Sequence, residues 1–284
     1  MSKLNVHLLV IDPQKDFMDD RDSALPVPGA NADMKRLAKM IERIGRKLSD
    51  IHVTLDSHRV IDVAHPGMWR GANGKPPAPF TIITVDDIES GVWRPRAESA
   101  KPAELGGKTL GAYMLDYARE LARRGNYPLM VWPEHCVIGT PGHAMQADFV
   151  KALHGWERAV FANANIVTKG ANAFTEHYGG LMAEVPMASD PSTGLNTAFL
   201  DMLAEADIIA IAGEALSHCV KATVSQIADN IGADLVKKFH ILTDCTSPVP
   251  RVGFGPDFPA IAASWLADMR ARGVTLVTSD KFLT

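Results

Sequence analysis

The chain is poor in the features that mark several protein classes. Its 284 residues include only three cysteines, an odd number and too few for a disulfide framework. Free thiols in a reducing cytoplasm are therefore expected. No apolar run reaches the ~18 residues that a membrane span requires. The opening residues, Met1 to Val6, lack the apolar centre of a signal peptide, so no export signal is expected. Basic residues are not in excess: 29 Lys plus Arg face 33 Asp plus Glu. A net charge of −4 with no basic run argues against a nucleic-acid binder. Disorder is excluded by a hydrophobic share of 46% against 22% charged.

What is present is an alternation of short apolar runs with one-faced helical patterns. Residues 4–11 (LNVHLLVI) form a nearly continuous apolar run stopped by Asp12-Pro13, which predicts a buried parallel strand. Residues 51–55, 80–85, 128–132, 207–212, 239–243 and 274–278 also read as strands, and 158–162 and 165–168 as extended. Helical spacing is clear from Asn31 to Leu48, from Leu110 to Leu121, over 192–204, from Ser217 to Asn230 and around Trp265. Strand-then-helix order implies a doubly wound α/β fold, a mostly parallel sheet with helices on both faces. No internal repeat or linker interrupts it, so 1–284 is expected to be a single domain, with a long connection at about 66–128.

In open parallel sheets ligands bind beyond the carboxyl ends of the strands, so the residues there are the candidates. Asp12 follows the first strand, Asp56 and His58 the second, Trp132 to Cys136 (WPEHC) the third. Lys169 lies just past Ile166-Val167-Thr168, and Gly213 to Cys219 (GEALSHC) follows the fifth. Cys219 stands at a strand-to-helix turn, where free N–H groups and the helix dipole favour a thiolate. Cys245 reads as structural, and Cys136 should point away from a site that His135 faces. Asp56 and His58 fall on one side of an extended segment and could share a divalent ion, given a further ligand. His135 is the natural third ligand and His65 a possible fourth. Each position taken alone has a plainer reading: Asp12 as a turn former, Cys219 as a small core residue, Lys169 as a loop lysine. His7, His52, His143, His154 and His240 are assigned packing or surface roles.

Four segments together resemble the nicotinamidase and isochorismatase-like cysteine hydrolase family: Val10 to Phe17 (VIDPQKDF), Asp56-Ser57-His58, Trp132 to Cys136, and Gly213 to Val220 (GEALSHCV). Lys169-Gly170 stands between the last two, as the family's pattern requires. The resemblance implies the isochorismatase-like hydrolase fold and an Asp–Lys–Cys triad, here Asp12, Lys169 and Cys219. It implies a metal on Asp56, His58 and His135, with His65 similar in placement to an extra histidine that some members use. That metal set favours the nicotinamidase branch. Phe17 and Trp132 match the aromatics that sandwich a pyridine ring. Backbone N–H groups of Ala215, after a cis peptide, and of Cys219 match the oxyanion hole.

The implied activity is hydrolysis of a small primary carboxamide, most simply nicotinamide, through a thioester on Cys219. One divalent cation is expected, zinc ahead of iron or manganese. The implied partners are a small-molecule amide and further copies of the chain in a homo-oligomer. Two departures bear on the substrate. The 66–128 connection, with Trp69 and Trp93, is longer than in compact members and could reshape or cover the pocket. Glu214-Ala215-Leu216-Ser217 replaces the smaller or β-branched residues and Asp usual before the cysteine. A bulkier amide, isochorismatase-like chemistry on a vinyl ether, and a non-catalytic metal- or ligand-binding relative are the rival readings.

Overall fold

Runs of Val, Ile, Leu and Ala with no charge between them are buried on both faces, and that sets the centre of the molecule. In this computed structural model, which describes residues 4–96, 101–251 and 255–284, ten strands and eight helices follow in chain order. The strands are β1 (Val6–Ile11), β2 (Asp50–Asp56), β3 (Trp69–Gly71), β4 (Thr81–Ile83), β5 (Trp93–Pro95), β6 (Leu129–Val131), β7 (Asn165–Lys169), β8 (Ile208–Gly213), β9 (Phe239–Leu242) and β10 (Thr275–Val277). The helices are α1 (Ala30–Ile44), α2 (Val85–Glu89), α3 (Leu110–Arg124), α4 (Ala147–Val160), α5 (Thr197–Ala204), α6 (Lys221–Ile231), α7 (Ala233–Val236) and α8 (Phe258–Ala271).

Six strands form one sheet in the order β10-β9-β8-β1-β2-β7, and every pair in it is parallel. From β1 the chain steps through β2 to β7 in one direction, then returns and steps from β8 through β9 to β10 in the other. Right-handed crossovers therefore put α1 and α4 on one face and α5, α6 and α8 on the opposite one. In agreement, α1 packs on α4 and α5 on α6. The reversal falls between β1 and β8, where such sheets open a crevice at their carboxyl ends. Register then aligns the chemistry: Ile11 lies opposite Gly213, and Asp56 opposite Lys169.

Several expectations need correction. Residues 158–162 are not extended: 158–160 end α4, and Phe161 closes it at φ 60°. Phe149, Ala152, Leu153 and Trp156 form the buried stripe of that helix, a 3.6-residue period that outweighs the local β-branched look of its last turn. The helical segment over 192–204 is α5 from Thr197 onward, preceded by a 3-10 turn at Pro191–Thr193. Residues 128–132 do not join the parallel sheet; β6 pairs antiparallel with β4 as a separate ribbon, as β3 does with β5. The long connection has an apolar cluster of its own, with Met68, Trp69, Ile83, Leu110, Met114 and Leu121. Its strands need no place in the central sheet because that cluster covers them.

Gly213 ends β8 at φ 116°, and a Cβ there would meet the Ile11 carbonyl oxygen at 2.0 Å. The switch point closes only because this residue has no side chain. Gly213→Ala is expected to destabilise the protein by about 2 kcal/mol or more. Urea denaturation checks this, and a change below about 0.5 kcal/mol would contradict it.

Candidate active site

Lys169 closes the edge strand β7 and sends its ammonium under the carboxyl ends of β2 and β1. Its Nζ lies 3.0 Å from Asp12 Oδ2 and 2.9 Å from Asp56 Oδ1. It also donates to the His177 carbonyl at 3.0 Å and reaches Cys219 Sγ at 3.6 Å. All three triad candidates thus meet at one buried point. The protons of Lys169 are engaged by Asp56, His177 and Cys219. Asp12 Oδ2 has the ion pair but no aligned hydrogen bond among the described residues, leaving it a free lone pair.

Local backbone geometry delivers these groups. Asp12 turns sharply out of β1 at φ 45°, a left-handed conformation that Asp tolerates better than most residues. Thr54 donates to Asp12 Oδ1 at 2.6 Å. The Gln14 side chain clasps the backbone of Asp56, accepting from its N–H and donating to its carbonyl, both at 2.7 Å. The Glu214–Ala215 peptide is cis, and Cys219 sits inside a π-helical turn, Leu216–Val220, that leads into α6.

The charge state of the sulfur differs from the expectation. Burial pushes the Cys219 thiol well above its ordinary range; the Asp12 and Asp56 carboxylates push the same way, against the pull of Lys169. The helix-terminus argument loses because the sulfur lies in the tight turn ahead of α6 with two carboxylates close by. Burial also raises Asp12, which Lys169 only partly offsets. For Lys169, burial would lower the ammonium, but Asp12 and Asp56 raise it well above the usual lysine range. These directions favour a thiol beside an ammonium and make Asp12 more basic than an ordinary carboxylate.

Next to the triad, Asp56 turns its other oxygen to the histidines. Oδ2 is 3.0 Å from His58 Nε2 and 3.4 Å from His135 Nε2. Donor atoms of His58, His65 and His135 all lie within 4.8 Å of one another. Each ring is aimed from behind. His58 Nδ1 bonds Asp62 Oδ2 at 3.1 Å, His65 Nδ1 the Arg59 carbonyl at 3.0 Å, and His135 Nδ1 the Pro133 carbonyl at 2.8 Å. Those acceptors turn the Nε2 atoms of His58 and His135 toward Asp56 Oδ2, the arrangement seen around ligating histidines. His65 Nε2 is buried with no partner among the described residues, and burial beside His135 and His58 lowers this ring to about 2. His58, though buried, is raised well above the ordinary imidazole by Asp56 and Asp62. A divalent cation fits these residues: it would satisfy His65 and supply the positive charge that the two aspartates favour.

Phe17, Trp132, Ala215 and Cys219 line a narrow cleft, together with Tyr178 and Val249, which sequence reasoning missed. Its free space is about 20 Å³, where a single water takes ~10–15 Å³. The cleft thus has room for about one water, and a substrate ring enters only as its walls move apart. Trp132 Nε1 donates to Tyr178 Oη at 3.0 Å, which fixes two aromatic walls at once. Phe17 packs edge-on against His135 at 5.5 Å between centroids. No described residue of 66–128 lines the cleft; Phe80 backs Trp132 from outside at 5.9 Å, so the described part of the long connection buttresses the pocket. Cys136 is buried at φ 46°, with its N–H donating to Asp16 Oδ2 at 2.7 Å. Cys245 is buried in the core. His7 and His52 bond each other at 3.0 Å within the sheet. Asp62 carried one sequence signal, its place four residues after His58, whereas Tyr178 and Val249 carried none.

No family model matches the chain, and no curated protein matches it. Solved structures do. A nicotinamidase/pyrazinamidase of Acinetobacter baumanii is 19% identical, covers 98% of each chain and superposes with a TM-score of 0.59. The yeast nicotinamidase is 20% identical with a TM-score of 0.60, covering 96% of this chain and 99% of its own. The chain shares the nicotinamidase fold. A pyrazinamidase of Pyrococcus horikoshii in complex with zinc, also 20% identical over 96% and 99%, gives 0.54. Isochorismatase-like hydrolases are neighbours as well.

Replacing Asp62 with Ala should loosen zinc binding ~10–100-fold by freeing the His58 ring. Competition against a chromogenic chelator measures it, and an unchanged affinity would remove Asp62 from the arrangement.

Proposed function

We propose that the protein is a cysteine amidohydrolase that converts a small aromatic primary carboxamide, with nicotinamide as the leading substrate, into the carboxylic acid and ammonia. The observation that carries this reading is the convergence of Asp12, Asp56 and Cys219 on the single ammonium of Lys169. The nicotinamidase fold supports it, and so do the aromatic walls Phe17, Trp132 and Tyr178 beside Cys219.

An amide is a poor electrophile, and a covalent route divides one high barrier into two lower ones. Cys219 Sγ attacks the carbonyl carbon while its proton passes to the free Oδ2 of Asp12. Raised basicity suits Asp12 to this task, and Lys169 offsets the charge that develops on sulfur. The carbonyl oxygen gathers negative charge beside the backbone N–H groups of Ala215 and Cys219; one such donor is worth ~2.7–4 kcal/mol. Asp12 then returns the proton to the departing nitrogen, ammonia leaves, and a thioester remains on Cys219. A water deprotonated by Asp12 cleaves the thioester, giving the acid and restoring the thiol. Asp56, His58, His65 and His135 would hold a divalent cation, zinc ahead of iron or manganese. Bound there, it supplies a Lewis-acid contact for a ring nitrogen or a water. Phe17, Trp132 and Tyr178 orient the ring by their faces and edges. The reading also includes a homo-oligomer, which light scattering of the purified protein checks.

Cys219→Ala is expected to lower ammonia release from nicotinamide at least ~10⁴-fold while the circular dichroism spectrum stays native. Turnover within tenfold of the parent would rule out the thioester. Rapid acid quenching followed by mass spectrometry should show an acyl adduct on the peptide containing Cys219 and none on the Ala variant.

A further inference from the structure

Glu214 is a fully buried carboxyl that neither the triad nor the histidine cluster uses. It follows β8 directly, and its Oε2 accepts from the Ser247 N–H at 3.1 Å. Ser247 donates in turn through Oγ to Asp33 Oδ2 on α1 at 2.6 Å. Three more bonds stitch this segment to the turn that bears the nucleophile. Gly213 N–H donates to the Cys245 carbonyl at 3.0 Å and Leu216 N–H to the Ser247 carbonyl at 2.8 Å. Val249 N–H donates to Ser217 Oγ at 3.1 Å. Val249 itself forms one wall of the cleft.

We propose that Glu214 is a positioning residue, whose carboxyl ties segment 245–249 to the turn carrying Ala215 and Cys219 and so sets the oxyanion donors and the Val249 wall. A β-branched apolar residue at 214 could not accept from Ser247. Displacing this segment by about 1 Å is enough to cost ~10²-fold in rate.

The charged groups around Glu214 determine its protonation. Asp33 acts on it from α1, and Asp19 from the loop before α1. Arg36 is engaged by Asp33 and by the Asp244 carbonyl, and no cation pairs with Glu214 among the described residues. Burial, then the charge of Asp33, hold Glu214 well above the usual carboxylate range, which favours its uncharged form. Because the folded state binds this proton more tightly than the unfolded chain, its contribution to stability is complete in acid. That contribution is lost as pH rises through the raised value. Ionisation places a second negative charge beside Asp33 and loosens the segment.

The test compares wild type, Glu214→Ala and Glu214→Gln by steady-state kinetics on nicotinamide and by amide hydrogen exchange of 213–219 and 245–249. Glu214→Ala is expected to lose ~10²-fold in kcat with little change in KM and to speed exchange in both segments. Glu214→Gln, which keeps an uncharged acceptor, should recover kcat to within ~3-fold and restore slow exchange in both segments. Unchanged exchange and kcat in Glu214→Ala, or a Gln variant as impaired as the Ala variant, overturns the proposal. If Glu214→Ala does not fold, Glu214→Met, which keeps the volume without the acceptor, decides, since exchange and kcat equal to those of Glu214→Gln overturn it. The kinetic arm rests on the amidase reading, but the exchange arm does not. Wild type inactive on every carboxamide, yet with exchange accelerated in Glu214→Ala, would sink the amidase reading and uphold the positioning role.

Discussion

One buried ammonium holds the site together. Lys169 is 2% exposed and lies within 3.0 Å of two carboxylates from two other strands. Without it, Asp12 and Asp56 would be two negative charges in a medium that solvates neither. Breaking such a pair by removing one partner generally costs ~3–5 kcal/mol. The arrangement also accounts for the odd burial of β7. This edge strand is half-exposed along its length, with Ile166 43% exposed, yet its last residue is sealed. The strand is long enough to carry Lys169 alongside Asp56, and the register of β2 with β7 does the rest.

Asp56 makes the triad and the histidine cluster a single electrostatic unit. One of its oxygens faces Lys169, while the other faces His58 and His135. A change of charge among the histidines therefore reaches Lys169 through one carboxylate, and from there Cys219. That coupling gives a physical reason for a cation among the histidines to act on the proposed nucleophile. It also explains the direction of the thiol's shift: desolvation and two carboxylates outweigh one ammonium. In the proposed mechanism the burden of activation then falls on Asp12, whose burial makes it a better base. The cleft walls obey the same economy of supports. Trp132 is fixed by Tyr178, Tyr178 packs against His218 at 5.5 Å, and Val249 is fixed through Ser217.

Much of this was legible from local pattern. The apolar runs that became β1, β2, β8 and β9, and the stripes that became α1, α3 and α6, follow from periodicity alone, because a doubly covered strand and a one-faced helix each leave a distinct spacing. Asp12, Asp56, His58, His135, Lys169 and Cys219 stood out because each falls just beyond such a run. The failures have a common cause. The last turn of α4 resembled a strand over five residues and was decided by a stripe beginning at Phe149, outside that window. β6 has a strand's composition, but composition does not name a partner, and an antiparallel ribbon with β4 was equally open to it.

The amino-acid order by itself determined the element types, the side of the sheet on which the reactive residues emerge, and the set of residues able to bind one another there. Those follow from period and position, which are properties of neighbours along the chain. Tertiary structure alone decided the rest: that Asp56 serves both Lys169 and the histidines, that Tyr178 and Val249 line the cleft, that Phe80 backs Trp132, and that desolvation and two carboxylates push the sulfur toward the thiol. Each of these depends on the distance between groups far apart in sequence and on how much water their packing excludes, and no local pattern records either.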